Sequence, residues 1–378
     1  MSPVLGANIR LARLFHGLSL SDLGERLGRS KQFLSRVETG VEPVSDALEI
    51  ALVDELGVLP EFLREVEAMP LTEEQCHFRK QLTTKVTLRQ YARARGEMLK
   101  RLVGVLDAHL ELPPYKIAEA DPTSDEAIER GSERCRVEWG LGWGPISNIT
   151  RVAENAGAVV MRVAGMAAEI DAVSFATARP VIALNAVGRS ACRARFGVAH
   201  ELGHFALHTG VLTGDRLTET QANRFASALL LPRTSFLAES HIALRRSRLS
   251  WEGMSELKRR WGVSKAAILY RGGQLGVFTQ DQLRAGYVHL KRRGEALEEH
   301  EDREMPVETP EVVTEGLTVL ERELGVPAVA VARQMRVQPR LLQDLLGVND
   351  GGSDPSVFPL FRAGRSGDAA TDGAAAHW

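Results

Sequence analysis

RARFGVAHELGHFALHTG, residues 193–210, has apolar residues at helical spacing and, set among them, His200-Glu201-Leu202-Gly203-His204. Four residues advance an α-helix by slightly more than one turn, so His200 and His204 leave one face and their imidazoles can meet at a single ion. Glu201 stands beside them, where its carboxylate can take a proton from a water at that ion. The flanking Phe196, Val198, Ala199, Leu202, Phe205 and Ala206 are apolar, so the helix is expected to be buried. Polar side chains buried there need a compensating partner, and a divalent cation supplies one. The alternative, two surface histidines with a salt-bridging glutamate, fits those flanks poorly.

A catalytic zinc needs a third protein ligand. His208 lies eight residues beyond His200, roughly 12 Å along the axis, and a straight helix cannot bring three such rings to one ion. TETQANRFASALLLP, residues 218–232, reads as the next helix, with Phe225, Leu229 and Leu230 able to pack on the first. Antiparallel packing across a loop of about 8–12 residues returns Glu219 toward the histidines. Glu239 is the fallback ligand, and either glutamate could instead be a solvated helix residue.

The rest of the chain is expected to be mainly α with a small α+β part. Residues 1–68 read as a five-helix helix-turn-helix domain, 69–112 as a basic helical linker and 113–240 as a small domain of mixed helix and strand around the His200–His204 helix. Residues 241–347 read as helical, and the Gly-, Ala-, Asp- and Ser-rich tail 348–378 as disordered. Short apolar runs at Val159–Val163, Val173–Ala176 and Val181–Leu184 are the candidate strands. The last precedes the metal helix and is expected to align an extended substrate by main-chain pairing. Leu257–Tyr270 and Val329–Leu346 also have helix-turn-helix spacing, and packed helical hairpins are their ordinary explanation.

In SLSDLGERLGRSKQFLSRVETG, residues 19–40, two short helices meet at Gly28. Ser30 is placed as the N-cap of the second, so Lys31, Gln32, Ser35 and Arg36 fall on the exposed half that enters a major groove, while Phe33, Leu34 and Val37 face inward. These four side chains can read base edges or grip phosphate. The stretch resembles the phage-repressor-like (XRE) DNA-binding family through Ile9 to Arg13, Leu23, Gly28, Ser30, Ser35, Glu38, Gly40 and Pro43. It departs at Leu20, where a phosphate-contacting Gln is usual, and at Gly24, where Ala is usual. The acid-rich stretch Glu42 to Glu67 leaves open a domain that keeps this fold and binds a protein instead. The basic run 79–101, with Arg89, Arg93 and Lys100, is read either as a phosphate grip or as a solvated helix face.

HELGHFALH together with ETQANRFASALLLP is similar to the ImmA/IrrE family of metallopeptidases. The likeness extends to GWGPISNITRVAENAGAVVMRV (142–163), PVIALNA (180–186) and LKRRWGVSKAAILYRGGQLG (257–276), and with the N-terminal domain it covers about residues 5–346. It implies a zincin-like domain binding Zn2+ through His200, His204 and Glu219, with Glu201 as general base. It further implies peptide-bond hydrolysis directed at a regulatory protein such as a transcriptional repressor, in a stress or mobile-element response. The competing expectation is a non-catalytic XRE-type regulator that uses the metal domain for sensing or stability.

Composition narrows the remainder. A formal charge of −2 over 378 residues gives no global pull toward nucleic acid, so DNA binding must be local. Cys76, Cys135 and Cys192 lack CxxC pairing, which argues against a disulfide framework or a thiolate zinc cage and for a reducing cytoplasm. No apolar run approaches the roughly 18 residues that span a bilayer. The expected partners are therefore DNA and a protein substrate, with no membrane; a homodimer is left open.

Overall fold

The structure is a computed structural model that describes residues 3–67, 69–72, 74–78, 86–163, 172–186 and 190–347. The tail 348–378 and the basic residues Arg79, Lys80 and Lys85 lie outside the described residues.

Helices α1 (Gly6–Phe15), α2 (Leu20–Leu27), α3 (Lys31–Glu38), α4 (Asp46–Leu56) and α5 (Pro60–Arg64) form the N-terminal bundle. Its punctuation is written locally: Ser19, Ser30 and Ser45 each accept a backbone N–H of the helix they open, and left-handed Gly28 closes α2. Gly24 has a steric reason, since a Cβ there would stand 2.5 Å from the carbonyl oxygen of Arg29. Arg13 and Glu38 form a buried two-pronged ion pair, 2.6 and 2.8 Å, that ties α1 to α3.

Strand β1 (Cys76–Phe78) and the long α6 (Val86–His109) follow. Next come α7 (Asp125–Glu138), α8 (Ile149–Asn155), β2 (Val159–Val163), β3 (Ala172–Phe175) and β4 (Val181–Asn185). The strands form one mixed sheet in the order β1-β3-β4-β2, with β2 parallel to β4 and both other pairings antiparallel. Every residue of β4 is buried between two paired neighbours. The expectation that Val181–Leu184 pairs with a substrate is thereby corrected: its backbone groups already serve β2 and β3.

Alternation along the strands divides the sheet between two cores. Val159, Met161, Val163, Val173, Phe175, Val181 and Ala183 pack with the N-terminal bundle and α6. Val160, Ala172, Ile182 and Leu184 face the opposite core, which contains α9 (Ala191–Leu207) and α10 (Arg216–Leu230). That second core is completed by α11 (Arg233–Glu239), the ribbon β5 (Leu244–Arg245) and β6 (Arg248–Leu249), α12 (Trp251–Trp261), α13 (Lys265–Gln274) and α14 (Gln280–Arg292).

Helices α15 (Val312–Arg322), α16 (Ala328–Gln334) and α17 (Pro339–Leu346) return to the first core. The pattern over 327–346 breaks between α16 and α17, where Arg336 is left-handed (φ 60°) and Pro339 opens the second helix. This break meets its counterpart between α4 and α5. Val58 and Val337 form an antiparallel bridge, Leu59 N donates to the Arg336 carbonyl (2.9 Å) and Gln338 N to that of Gly57 (2.8 Å). Val58-Leu59-Pro60 and Val337-Gln338-Pro339 thus pair about a local pseudo-two-fold axis.

The architecture is mainly helical with a small mixed sheet, as expected. Among the described residues no helix is long and apolar enough to cross a membrane. Both further helix-turn-helix-like segments are packed hairpins: Leu257, Trp261, Val263, Ile268 and Leu269 are buried in one, and Val331, Leu341, Leu342 and Leu345 in the other.

Candidate metal centre and DNA-facing surface

Ser190 caps α9, its hydroxyl accepting the Arg193 N–H, and the helix runs unbroken through the His-Glu-x-x-His stretch. Helix α10 starts at Asp215, whose carboxylate accepts the N–H groups of Leu217 (2.7 Å) and Thr218 (2.9 Å), so Glu219 falls in the first turn. The two helices approach closely at Gly203, where a Cβ would lie 3.2 Å from the Ala222 carbonyl oxygen and the Phe225 Cβ. That approach brings Glu219 to the histidines.

Nε2 of His200 and Nε2 of His204 are 3.0 Å apart. The Glu219 carboxylate oxygens stand 3.6 Å from the first and 3.5 Å from the second. These three side chains can each offer one ligand atom within 4.8 Å of the others. Zinc bonds of about 2.0–2.1 Å at tetrahedral angles separate neighbouring donors by roughly 3.3 Å, so the set fits that ion. Burial holds His204 far below the ordinary imidazole range, with His208 adding to the effect, so its ring is neutral and has a lone pair to give. Zinc held by these two nitrogens and one carboxylate would have room for a further ligand.

Glu201 is buried next to these residues and accepts a hydrogen bond from the Ser174 hydroxyl on β3. Glu239 is placed elsewhere: its carboxylate receives Arg260 Nε (2.8 Å) and Trp261 Nε1 (2.8 Å). The ring nitrogens away from the metal position have partners. His200 Nδ1 faces Asn223 Oδ1 at 3.0 Å, and His204 Nδ1 faces His208 Nδ1 at 2.9 Å. His77 on β1 stacks on His204, ring centroids 4.9 Å apart and planes 7° from parallel, and bonds Thr213 Oγ1 at 2.9 Å. His77 and Ser174 carry no signal in the sequence pattern, because strand pairing brings them here, whereas Gln221 and Asn223 lie inside the stretch 219–232 that carries the family likeness.

A cleft of about 300 Å³ opens beside His200 and Glu201, lined by Phe196, Tyr270, Tyr287 and Leu297 among others. Its far wall is the connection between α14 and α15. Fully buried Lys258 holds that wall through Glu299 (2.7 Å) and Asp302 (2.5 Å), and Lys265 through Glu295 (3.0 Å) and Glu301 (2.8 Å).

In the N-terminal bundle, Ser30, Lys31, Gln32, Ser35 and Arg36 are exposed on α3, with Arg36 paired to Glu42 at 3.2 Å. Phe33 is partly covered, and Leu34 and Val37 are buried. Of the basic residues of α6, Arg95 is buried and Arg89, Arg93, Lys100 and Arg101 are half-buried. Arg95 lies over the rings of Phe15 (4.9 Å) and Tyr91 (5.6 Å), Lys100 pairs with Glu67 and Glu97, and Arg101 pairs with Glu65 and covers Phe62. Lys100 and Arg101 are therefore engaged in ion pairs within the chain. They fasten α6 to the bundle.

Residues 153–272 match the family described as the IrrE N-terminal-like domain, a metallopeptidase-type family, and residues 4–66 match a helix-turn-helix domain family. The fusion of these two parts is the one the sequence motifs led us to expect. No curated protein matches the chain.

Proposed function

From an IrrE N-terminal-like, metallopeptidase-type domain joined to a helix-turn-helix domain, we propose a zinc-dependent endopeptidase that binds DNA and cleaves a regulatory protein. The observation that carries this reading is the convergence of His200 Nε2, His204 Nε2 and the Glu219 carboxylate on one point beside buried Glu201. All three donor groups belong to one chain, so the site needs no homodimer.

Bound between them, zinc would supply Lewis-acid activation of water and of the scissile carbonyl. Glu201, steadied by Ser174, takes the proton from the attacking water and passes it to the departing amine. The cleft beside Glu201 seats the polypeptide, with Phe196, Tyr270 and Leu297 offering apolar contact. A site serving stability alone has no use for a general base and commonly closes its fourth position with another side chain, which favours the enzyme over the non-catalytic regulator. The helix-turn-helix faces DNA through Lys31, Gln32, Ser35 and Arg36 and delivers the peptidase to substrate near an operator. A transcriptional repressor, in a stress or mobile-element response in the cytoplasm, is the substrate class we favour.

Mass spectrometry of new N-termini in cells producing the wild type or Glu201→Gln tests this reading and names the substrate. A terminus present only with the wild type supports it. Identical termini under every inducing condition overturn it.

A further inference from the structure

We propose that Gln221 and His208 are positioning residues that set the tautomer of His204, placing its proton on Nδ1 and leaving Nε2 bare. The inference deepens the metal-site reading and rests on it for its consequence.

The chain of bonds begins at an amide whose orientation is fixed. Gln221 Nε2 donates to the Pro122 carbonyl at 2.9 Å, so Oε1 is the atom that faces His208. That oxygen only accepts, and His208 Nε2, 2.9 Å away, must therefore carry a proton. His208 Nδ1 and His204 Nδ1 are 2.9 Å apart and share one further proton. On His204 that proton leaves both rings neutral. On His208 it would make that ring an almost wholly buried imidazolium and leave His204 either an imidazolate or protonated at Nε2. The neutral arrangement wins, and the lone pair of His204 is then at Nε2, 3.0 Å from Nε2 of His200. Nε2 of His200 either donates to that lone pair or, when bare as well, repels it unless a Lewis acid lies between them.

This also gives the eighth residue after His200 a task that helix geometry denies it as a ligand. His208 is one turn beyond His204, too far along the axis to reach the ion, yet placed to hold the other side of the ligand ring. Gln221 belongs to α10, two residues beyond Glu219. The same helix thus brings both the third donor and the anchor of the relay.

The test uses the full chain with 15N-labelled histidine, free of metal, and reads the tautomers by long-range 1H–15N correlation. Zinc affinity is then measured by chelator competition for wild type, Gln221→Met and Gln221→Glu. We expect His208 protonated at Nε2 and His204 at Nδ1 in the metal-free wild type. Gln221→Met should mix the tautomers and weaken zinc binding about 10–100-fold. Gln221→Glu keeps an acceptor for His208 while abandoning the bond to Pro122, so it should retain the tautomers and most of the affinity. A wild-type His204 protonated at Nε2, an unchanged affinity in Gln221→Met, or equal losses in Met and Glu variants would overturn the relay. The expected tautomers without zinc uptake by the wild type would uphold the relay and sink the metal reading instead.

Discussion

The imidazole of His77, on the strand that follows the N-terminal bundle, lies flat against that of His204, with centroids 4.9 Å apart. The same strand pairs His77 with Ser174, the residue that donates to Glu201. One short strand therefore braces a candidate ligand and, through its neighbour, the candidate base. His77→Ala removes the brace and should weaken zinc binding roughly tenfold, whereas His77→Phe keeps a stacked ring and should lose much less. Chelator competition on the two proteins checks this, and equal losses would assign the effect to Thr213 instead.

Glu201→Gln should bind zinc with wild-type stoichiometry and lose turnover by about 10²–10⁴-fold, the range of a missing general base. Metal analysis and a peptide-cleavage assay on the same preparation separate the two properties. Turnover close to wild type would remove Glu201 from the chemistry.

Gly203 is where α10 closes on α9. Gly203→Val pushes against the Ala222 carbonyl and Phe225, and should cost about 1–3 kcal/mol of stability while drawing Glu219 away from the histidines. Thermal unfolding and zinc affinity should fall together. A stable variant with unchanged affinity would show that the close approach is not what sets the site.

On the DNA side, charge on α3 and charge on α6 should behave differently. Lys31→Ala should weaken DNA binding and shallow its salt dependence by about one unit if Lys31 meets a phosphate. Lys100→Ala should leave the salt slope unchanged, because Lys100 is spent on Glu67 and Glu97. Binding curves over a range of salt concentrations decide between them.

Glu154 lies buried beneath the start of α15 and accepts the N–H groups of Glu311 and Val312, yet burial pushes its carboxyl up from 4.5 to about 7. Between those values the folded protein holds a proton that the unfolded chain has released, so this group's contribution to stability falls as pH rises through that window. Glu154→Gln removes the titration and can still accept a backbone N–H. Its melting temperature should gain on the wild type as pH goes from 5 to 8, and a constant gap would contradict the assignment.

What could be read from the sequence follows from where each signal is stored. His200, Glu201 and His204 lie within little more than one helical turn, so spacing proposed them, while the packing of adjacent α9 and α10 together with the family likeness proposed Glu219 ahead of Glu239. The strands β2 and β4 announce themselves by β-branched runs. Strand β1 does not: Cys76-His77-Phe78 is too short to show a period of two, and only its pairing with β3 places His77 at the site. Charge along α6 was equally mute about direction, since Arg95 and Arg101 reveal their use only against Phe15 and Phe62. Val181–Leu184 misled for a related reason, because an apolar run does not say which neighbours flank it in a sheet.

The most direct test is zinc content and affinity of the purified, reconstituted protein beside His200→Ala, His204→Ala and Glu219→Ala. The account predicts one zinc per wild-type chain, and affinity lowered sharply by each substitution. A wild type that takes up no stoichiometric zinc, or that keeps its affinity when both histidines are replaced, would contradict it.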